Sequence, residues 1–204
     1  PQYRGAAPIT WAIINGEIQT GVTSFFINDK IDEGNMILSE KINISPDDNA
    51  GSLHDKLLHL GSKVILDTLE QVENNTYKEQ KQILSSDLKS APKIFKKDCL
   101  INWNLTATAI HNFIRGLSPY PAAYTLFTDE NKQGNIIKIF KSRTELVTHN
   151  LPSGLIETDN KQYLRIACKD GFIYVEELQV SGKKRIGIKD FLLGNKLMHL
   201  IQCF

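Results

Sequence analysis

Residues Gly21 to Leu38 read GVTSFFINDKIDEGNMIL, and the folding of that stretch decides the architecture around it. Val22, Ser24 and Phe26 alternate with Thr23, Phe25 and Ile27, a β-branched and aromatic run that predicts a strand. Asn28 to Asp32 predict a polar turn, Gly34 a break, and Met36-Ile37-Leu38 a second apolar strand. The reading therefore sets a carboxylate, Asp32, in a tight connection between two buried strands, two residues before a glycine. An α/β protein places an acid there when its ionisation is to be controlled. The same residues also fit a hairpin whose Asp serves only turn chemistry.

Upstream, Pro8 suits the first position of a helix because its φ is pre-set and its missing N–H would be unpaired there anyway. Ile9 to Asn15, closed by Gly16, predict a short helix. A short helix and two strands cannot bury a core, so the chain is expected to be a fragment whose upstream sheet is absent. Downstream, Ile42-Asn43-Ile44 is an alternating stub and Ser45 to Asn49 a turn. Ser52 is expected to cap a helix with Asp55 three residues on. Leu53, Leu57, Leu58, Leu60, Val64, Ile65, Leu66 and Leu69 recur at spacings that predict one apolar face. His54 and His59, five apart, share no face and have no ligand partner at metal spacing. Asn74 to Ala91 is rich in Gln, Lys, Ser and Asn and reads as a linker, with a domain boundary near residue 90.

The second half opens on Lys93, Lys96 and Lys97 around Ile94 and Phe95, then Ile101-Asn102-Trp103. Thr106 to Leu117 predicts a helix with Ala109, Ile110, Phe113 and Ile114 inward and Arg115 elsewhere; Pro119 and Pro121 end it. Short strands at close intervals follow: 123–128, 136–141, 154–157, 163–167 and 172–180. That spacing predicts a small all-β barrel or sandwich. Ser181-Gly182-Lys183-Lys184-Arg185 makes a basic tip, and residues 188–193 a last helix.

Composition sets the outer limits. The 204 residues are 41% apolar and 23% charged, ordinary for a soluble globular chain, and no run approaches a membrane span. Cys99, Cys168 and Cys203 are odd in number and without a CxxC pair, which argues against a disulfide framework or zinc site and suits a reducing cytoplasm. Residues 1–92 hold 8 Lys and Arg against 13 Asp and Glu, net −5; residues 93–204 hold 16 against 10, net +6. That polarity points the second half toward a polyanion. Phosphate-binding glycine loops and a nucleophile elbow are absent from the sequence. What remains is Asp32 in its turn, Arg4-Gly5 in an exposed loop, and basic loops on a β domain, which suit nucleic acid.

Several motifs fit one family together. Pro1-Gln2-Tyr3-Arg4-Gly5-Ala6-Ala7-Pro8-Ile9, Thr20-Gly21-Val22-Thr23 and Ile31-Asp32-Glu33-Gly34-Asn35-Met36-Ile37 resemble, in order and spacing, elements of the folate-dependent formyltransferases. Ala91-Pro92-Lys93-Ile94, Ile101-Asn102-Trp103 and Ile114-Arg115-Gly116-Leu117-Ser118-Pro119-Tyr120-Pro121 resemble its branch of methionyl-tRNA formyltransferases. The resemblance implies the remnant of a Rossmann-like catalytic domain over residues 1–75, a linker over 76–92, and an OB-like tRNA-binding barrel over 93–204. It implies a one-carbon group transferase moving a formyl group from 10-formyltetrahydrofolate, with no metal, to the amino group of initiator methionyl-tRNA.

In that family an Asn and a His stabilise the tetrahedral oxyanion while an Asp tunes the His and assists proton movement; Asp32 matches the Asp. Pro1 matches the end of the segment lining the folate site. Arg4, Lys93, Lys96, Lys97, Arg115, Lys183, Lys184 and Arg185 are the expected substrate and tRNA contacts. The Asn and His lie upstream of Pro1, so the chain is expected to be inactive by itself, and to be a monomer. Two departures stand out: Asn35 and Asn102 occupy positions where the family usually has Asp. Alternative readings are a nucleotide-sugar amine formyltransferase and a non-catalytic nucleic-acid-binding barrel.

Overall fold

The chain opens with a two-residue strand, β1 (Arg4–Gly5), and helix α1 (Pro8–Ile14). The structure is a computed structural model that describes residues 2–29, 32–82, 88–128, 134–195 and 203. Asp129 to Lys132, which connect the strands expected over 123–128 and 136–141, lie outside them. Contacts divide the chain into two units, Pro1–Ile13 with Glu17–Lys93, and Ile14–Gly16 with Ile94–Phe204.

In the first unit, strand β2 (Gln19–Phe25) pairs antiparallel with β3 (Met36–Asn43), from Gln19 opposite Asn43 to Phe25 opposite Met36. The pair is longer at its open end than expected: β2 begins at Gln19, and the Ile42-Asn43 stub belongs to β3. It also ends sooner, so Phe26 lies beyond the strand and Ile27 is 92% exposed. The strands are half-buried rather than buried, because α2 (Ala50–Glu73) packs against them. The Ser24 hydroxyl lies 2.7 Å from that of Thr68 at this contact.

Helix α2 starts three residues earlier than the sequence implied. Asn49 is the cap: its Oδ1 accepts from the Ser52 N–H at 2.9 Å, and the Asn49 N–H donates to Ser52 Oγ at 3.0 Å. Ser52 is thus the returning member of the capping box, not the cap. Leu53 and Val64 are fully buried, and burying Leu53 stabilises by about 1.5–3 kcal/mol. Leu58, Ile65, Leu66 and Leu69 are instead at least half exposed, so the leucines do not form one inward face. The buried cluster of this unit is small: Ala12, Ile13, Ile44 and Leu53.

The stretch expected to be a linker is woven into this unit. Met36 and Gln80 exchange both backbone hydrogen bonds at 2.8 Å, and β4 (Ser90–Ala91) pairs parallel with β1. Gly5, at φ +140, is needed there, since a Cβ would lie 2.2 Å from the Ala91 carbonyl oxygen.

The second unit begins with a 3-10 turn, Lys96–Cys99, and helix α3 (Ala107–Leu117), capped by the Thr106 hydroxyl. Strands β5 (Ala123–Thr128), β6 (Gly134–Leu146), β7 (Ile156–Thr158), β8 (Leu164–Cys168), β9 (Gly171–Val180) and β10 (Ile186–Gly187) precede α4 (Ile188–Gly194). Their order is β5-β6-β9-β8-β7, all antiparallel, with β10 on β9. Register shifts around Lys141 bend the long β6.

The expected small all-β, OB-like barrel is not confirmed, on two grounds. Among the described residues the pairings run as an open path, and the core is not made by strands alone. Ile110, Ile114 and Leu117 of α3 and Phe191 and Leu192 of α4 join Ile139, Ile166, Ile173 and Leu178 in one buried cluster. Helices covering a bent sheet bury its inner face where further strands would otherwise be needed.

Candidate functional site

Asp32 stands where the sequence put it, in the connection between β2 and β3, at φ +56 and half-buried. A left-handed φ is uncommon for a side-chain-bearing residue, though Asp tolerates it better than most. Two features hold it. Gly34 lets the chain close on itself, because a Cβ there would fall 1.5 Å from the Phe26 carbonyl oxygen. Gln82, 7% exposed, donates its amide Nε2 to the Asp32 carbonyl at 3.0 Å and to the Gly34 carbonyl at 2.7 Å. The backbone of the turn is thereby hydrogen-bonded, while the Asp32 carboxylate takes no hydrogen bond or ion pair from a described residue. The group is positioned through its main chain, with its side-chain oxygens uncommitted among the described residues.

Gln82 also reaches Arg4, whose guanidinium donates to Gln82 Oε1. One neutral amide therefore ties the Arg4 loop to the Asp32 turn, two points 28 residues apart that the sequence had picked out separately. Arg4 Nε is buried with no hydrogen-bond partner among the described residues. The Arg4 loop is braced on its other side: the Tyr3 N–H donates to the Lys89 carbonyl at 2.7 Å, and Tyr3 Oη to Glu17 Oε1 at 2.5 Å. The Lys89 ammonium reaches the same Glu17 oxygen at 2.6 Å. Those hydrogen bonds, Lys89 first and Tyr3 second, hold the Glu17 carboxyl below the usual carboxylate range.

Gln82 was missed by sequence reasoning. It sits in a run, KEQKQ, whose composition is that of a solvated segment, and no local signal separates it from its neighbours. Asn35 likewise has a tertiary partner: its Nδ2 donates to Glu79 Oε2 at 2.7 Å. Asn102 makes a local turn, accepting from the Asn104 N–H at 3.1 Å.

Of the remaining predicted positions, Pro1 lies outside the described residues. Lys93, Lys96, Lys97, Lys183 and Lys184 are exposed. The two arginines are more committed than expected. Arg115 is half-buried and donates Nε to Asn112 Oδ1 at 2.9 Å. Arg185 pairs with Glu177 and lies 4.3 Å from the Phe140 ring centroid. No group of His, Cys, Asp and Glu among the described residues could hold a metal ion, and no described helix is long and apolar enough to cross a membrane.

Comparison with known proteins agrees with this layout. Residues 1–86 match the family described as formyl transferase, and residues 93–196 match the formyl transferase C-terminal domain. The chain belongs to the formyl transferase family. It is 47% identical over 200 residues to a methionyl-tRNA formyltransferase of Azobacteroides pseudotrichonymphae, covering 96% of this chain and 62% of that protein. A relative of the same name from Flavobacterium johnsoniae is 47% identical over 194 residues, covering 95% of this chain and 61% of its own length. The chain thus spans about three fifths of these relatives. Among solved structures, an N-formyltransferase from Helicobacter canadensis in complex with folinic acid and dTDP-3-aminofucose superposes with a TM-score of 0.65 at 26% identity. That match covers 91% of this chain and 63% of the other.

Proposed function

We propose that this chain is the greater part of a methionyl-tRNA formyltransferase, transferring a formyl group from 10-formyltetrahydrofolate to the amino group of initiator methionyl-tRNA. The observation that carries the reading is 47% identity along nearly the whole chain to proteins of that name. The solved sugar N-formyltransferases fit at 26–27%. The geometry supports it as well. Asp32 is held by its main chain and keeps its carboxylate oxygens available, as an acid–base group requires. In this reading the first unit is the end of a Rossmann-like catalytic domain, and the second an OB-like RNA-facing module. The Asn and His that stabilise the oxyanion are supplied by residues upstream of Pro1. Asp32 orients the imidazole and takes part in moving the amine proton once the nitrogen has attacked the formyl carbon. Lys96, Lys97, Lys183 and Lys184, exposed, contact phosphates, with Lys93; Arg115 and Arg185 contribute less, because each already holds a neighbour.

The test is formylation by the full-length protein with two acceptors, methionyl-tRNA and a dTDP-amino sugar. Methionyl-tRNA is expected to be the substrate, and Asp32→Asn to lower kcat about 10²–10⁴-fold. Its melting temperature should move little, since the Asp32 carboxylate holds no described partner. Preference for the sugar, or full activity of Asp32→Asn, overturns the reading. The 204-residue chain by itself is expected to leave methionyl-tRNA unformylated.

A further inference from the structure

The structure brings together two basic clusters that lie some ninety positions apart in the sequence. Within the second unit, Ile94, Lys96, Ser181 and Gly182 all line one cavity of about 470 Å3. Lys97 follows Lys96 in the chain, and Lys183 and Lys184 follow Gly182; all three are exposed. Tyr120 and Tyr124 line the same cavity, and Tyr120 is 83% exposed. Lys138 and Gln179 also line it. The Lys138 ammonium is anchored on the Pro121 carbonyl at 3.1 Å, and Gln179 Nε2 on the Lys183 carbonyl at 2.8 Å, which leaves the Gln179 amide oxygen as an acceptor. Among the described residues the lining contains no carboxylate.

We propose that this cavity binds one unstacked nucleotide of a single-stranded RNA segment, with its base on Tyr120 and its phosphates between Lys96 and the Lys183-Lys184 turn. The volume lies within the roughly 300–1,000 Å3 of small-molecule sites. An exposed aromatic ring and cations lining one cavity can hold a splayed base, since every base offers a π-face and lysines track the backbone. The charged side chains among the described lining residues are Lys96 and Lys138, both cations, which suits a phosphate-bearing partner. A solvent-exposed tyrosine at this degree of exposure contributes nothing to the core of the unit, so its removal tests binding rather than folding.

The inference rests on the second unit facing RNA, and its test is kept apart from formylation. Fluorescence anisotropy of the 204-residue chain with a labelled single-stranded RNA of about eight nucleotides gives the affinity. Tyr120→Ala is expected to weaken binding about tenfold, corresponding to about 1.4 kcal/mol of stacking, while Tyr120→Phe keeps the affinity. An abasic strand of equal charge should bind the wild type about tenfold more weakly, and Tyr120→Ala should not distinguish the two strands. Lys96→Ala should lower the slope of log affinity against log salt. Unchanged affinity of Tyr120→Ala overturns the proposal, as does equal binding of abasic and natural strands, or AMP binding as tightly as the strand. Any of these leaves the Asp32-dependent formylation of the full-length protein standing. A chain that binds no RNA overturns the RNA reading of the second unit along with the pocket.

Discussion

Gln82 gives the Asp32 turn its rigidity through three hydrogen bonds from a single buried amide, two donated to carbonyls and one accepted from Arg4. Leaving buried carbonyls unpaired costs about 1–3 kcal/mol each. Gln82→Ala is therefore expected to lower stability by about 2–3 kcal/mol in chemical denaturation, and to reduce formylation by the full-length protein because Asp32 loses its fixed position. Gln82→Glu separates the two roles. It restores an acceptor for Arg4 but no donor for the carbonyls, so it should recover only part of the loss. Asn35 makes a related point: its amide donates to the Glu79 carboxylate at 2.7 Å, where the family's usual Asp would set two carboxylates against each other. The departure in sequence is matched by a partner that only the folded chain reveals.

At the scale of elements, the entry to α2 is an electrostatic device. Asp48 is 4% exposed and accepts from the Ser45 N–H and the Lys56 ammonium, each at 2.7 Å, and from the Ser52 hydroxyl at 2.9 Å. Burial by itself would raise its carboxyl, but the hydrogen bonds from Lys56, Ser45 and Ser52 outweigh it and hold it below its ordinary 3.8. A carboxyl depressed in the folded state contributes its stabilisation above about pH 4 and loses it as pH falls through the folded value. Asp48→Asn should therefore reduce stability at pH 7, by about 1–2 kcal/mol, and the difference from wild type should close as the pH is lowered through 4 and below. Denaturant unfolding followed across pH 2–7 measures both.

At the scale of the molecule, the two units differ in how well each is packed. The second has a continuous buried cluster of helix and strand residues. The first has four buried residues in its cluster, while Ile18, Ile27, Leu58, Ile65, Leu66 and Leu69 are at least half exposed. Burial at about 25 cal/mol per Å2 is what sets stability against chain entropy, so the first unit is the weaker one. Hydrogen exchange on the 204-residue chain should give low protection in β2, β3 and α2 and high protection in β6, β8 and β9. Thiol labelling reports the second unit alone, because Cys99, Cys168 and Cys203 all belong to it and are buried. Burial pushes all three thiols up, Cys203 to about 12, so labelling at neutral pH should follow the later of two unfolding transitions.

Local pattern was sufficient for what depends on local chemistry. The alternation over 22–27, the glycine at 34 and the prolines at 8, 119 and 121 placed the hairpin, the first helix and the end of α3 to within a few residues, and set Asp32 in its turn. Motif order along the chain carried the family. Tertiary structure decided the rest. It made Asn49 the cap of α2, turned part of that helix's leucines outward, drew the presumed linker into the first unit and set helices into a core expected to be all β. It also recruited Gln82 to join Arg4 to Asp32. Periodicity and turn chemistry act over a few residues and leave their mark in sequence. A hydrogen bond spanning fifty residues, or a helix that replaces strands over a core, depends on which surfaces meet, and a glutamine in a polar run carries no trace of it.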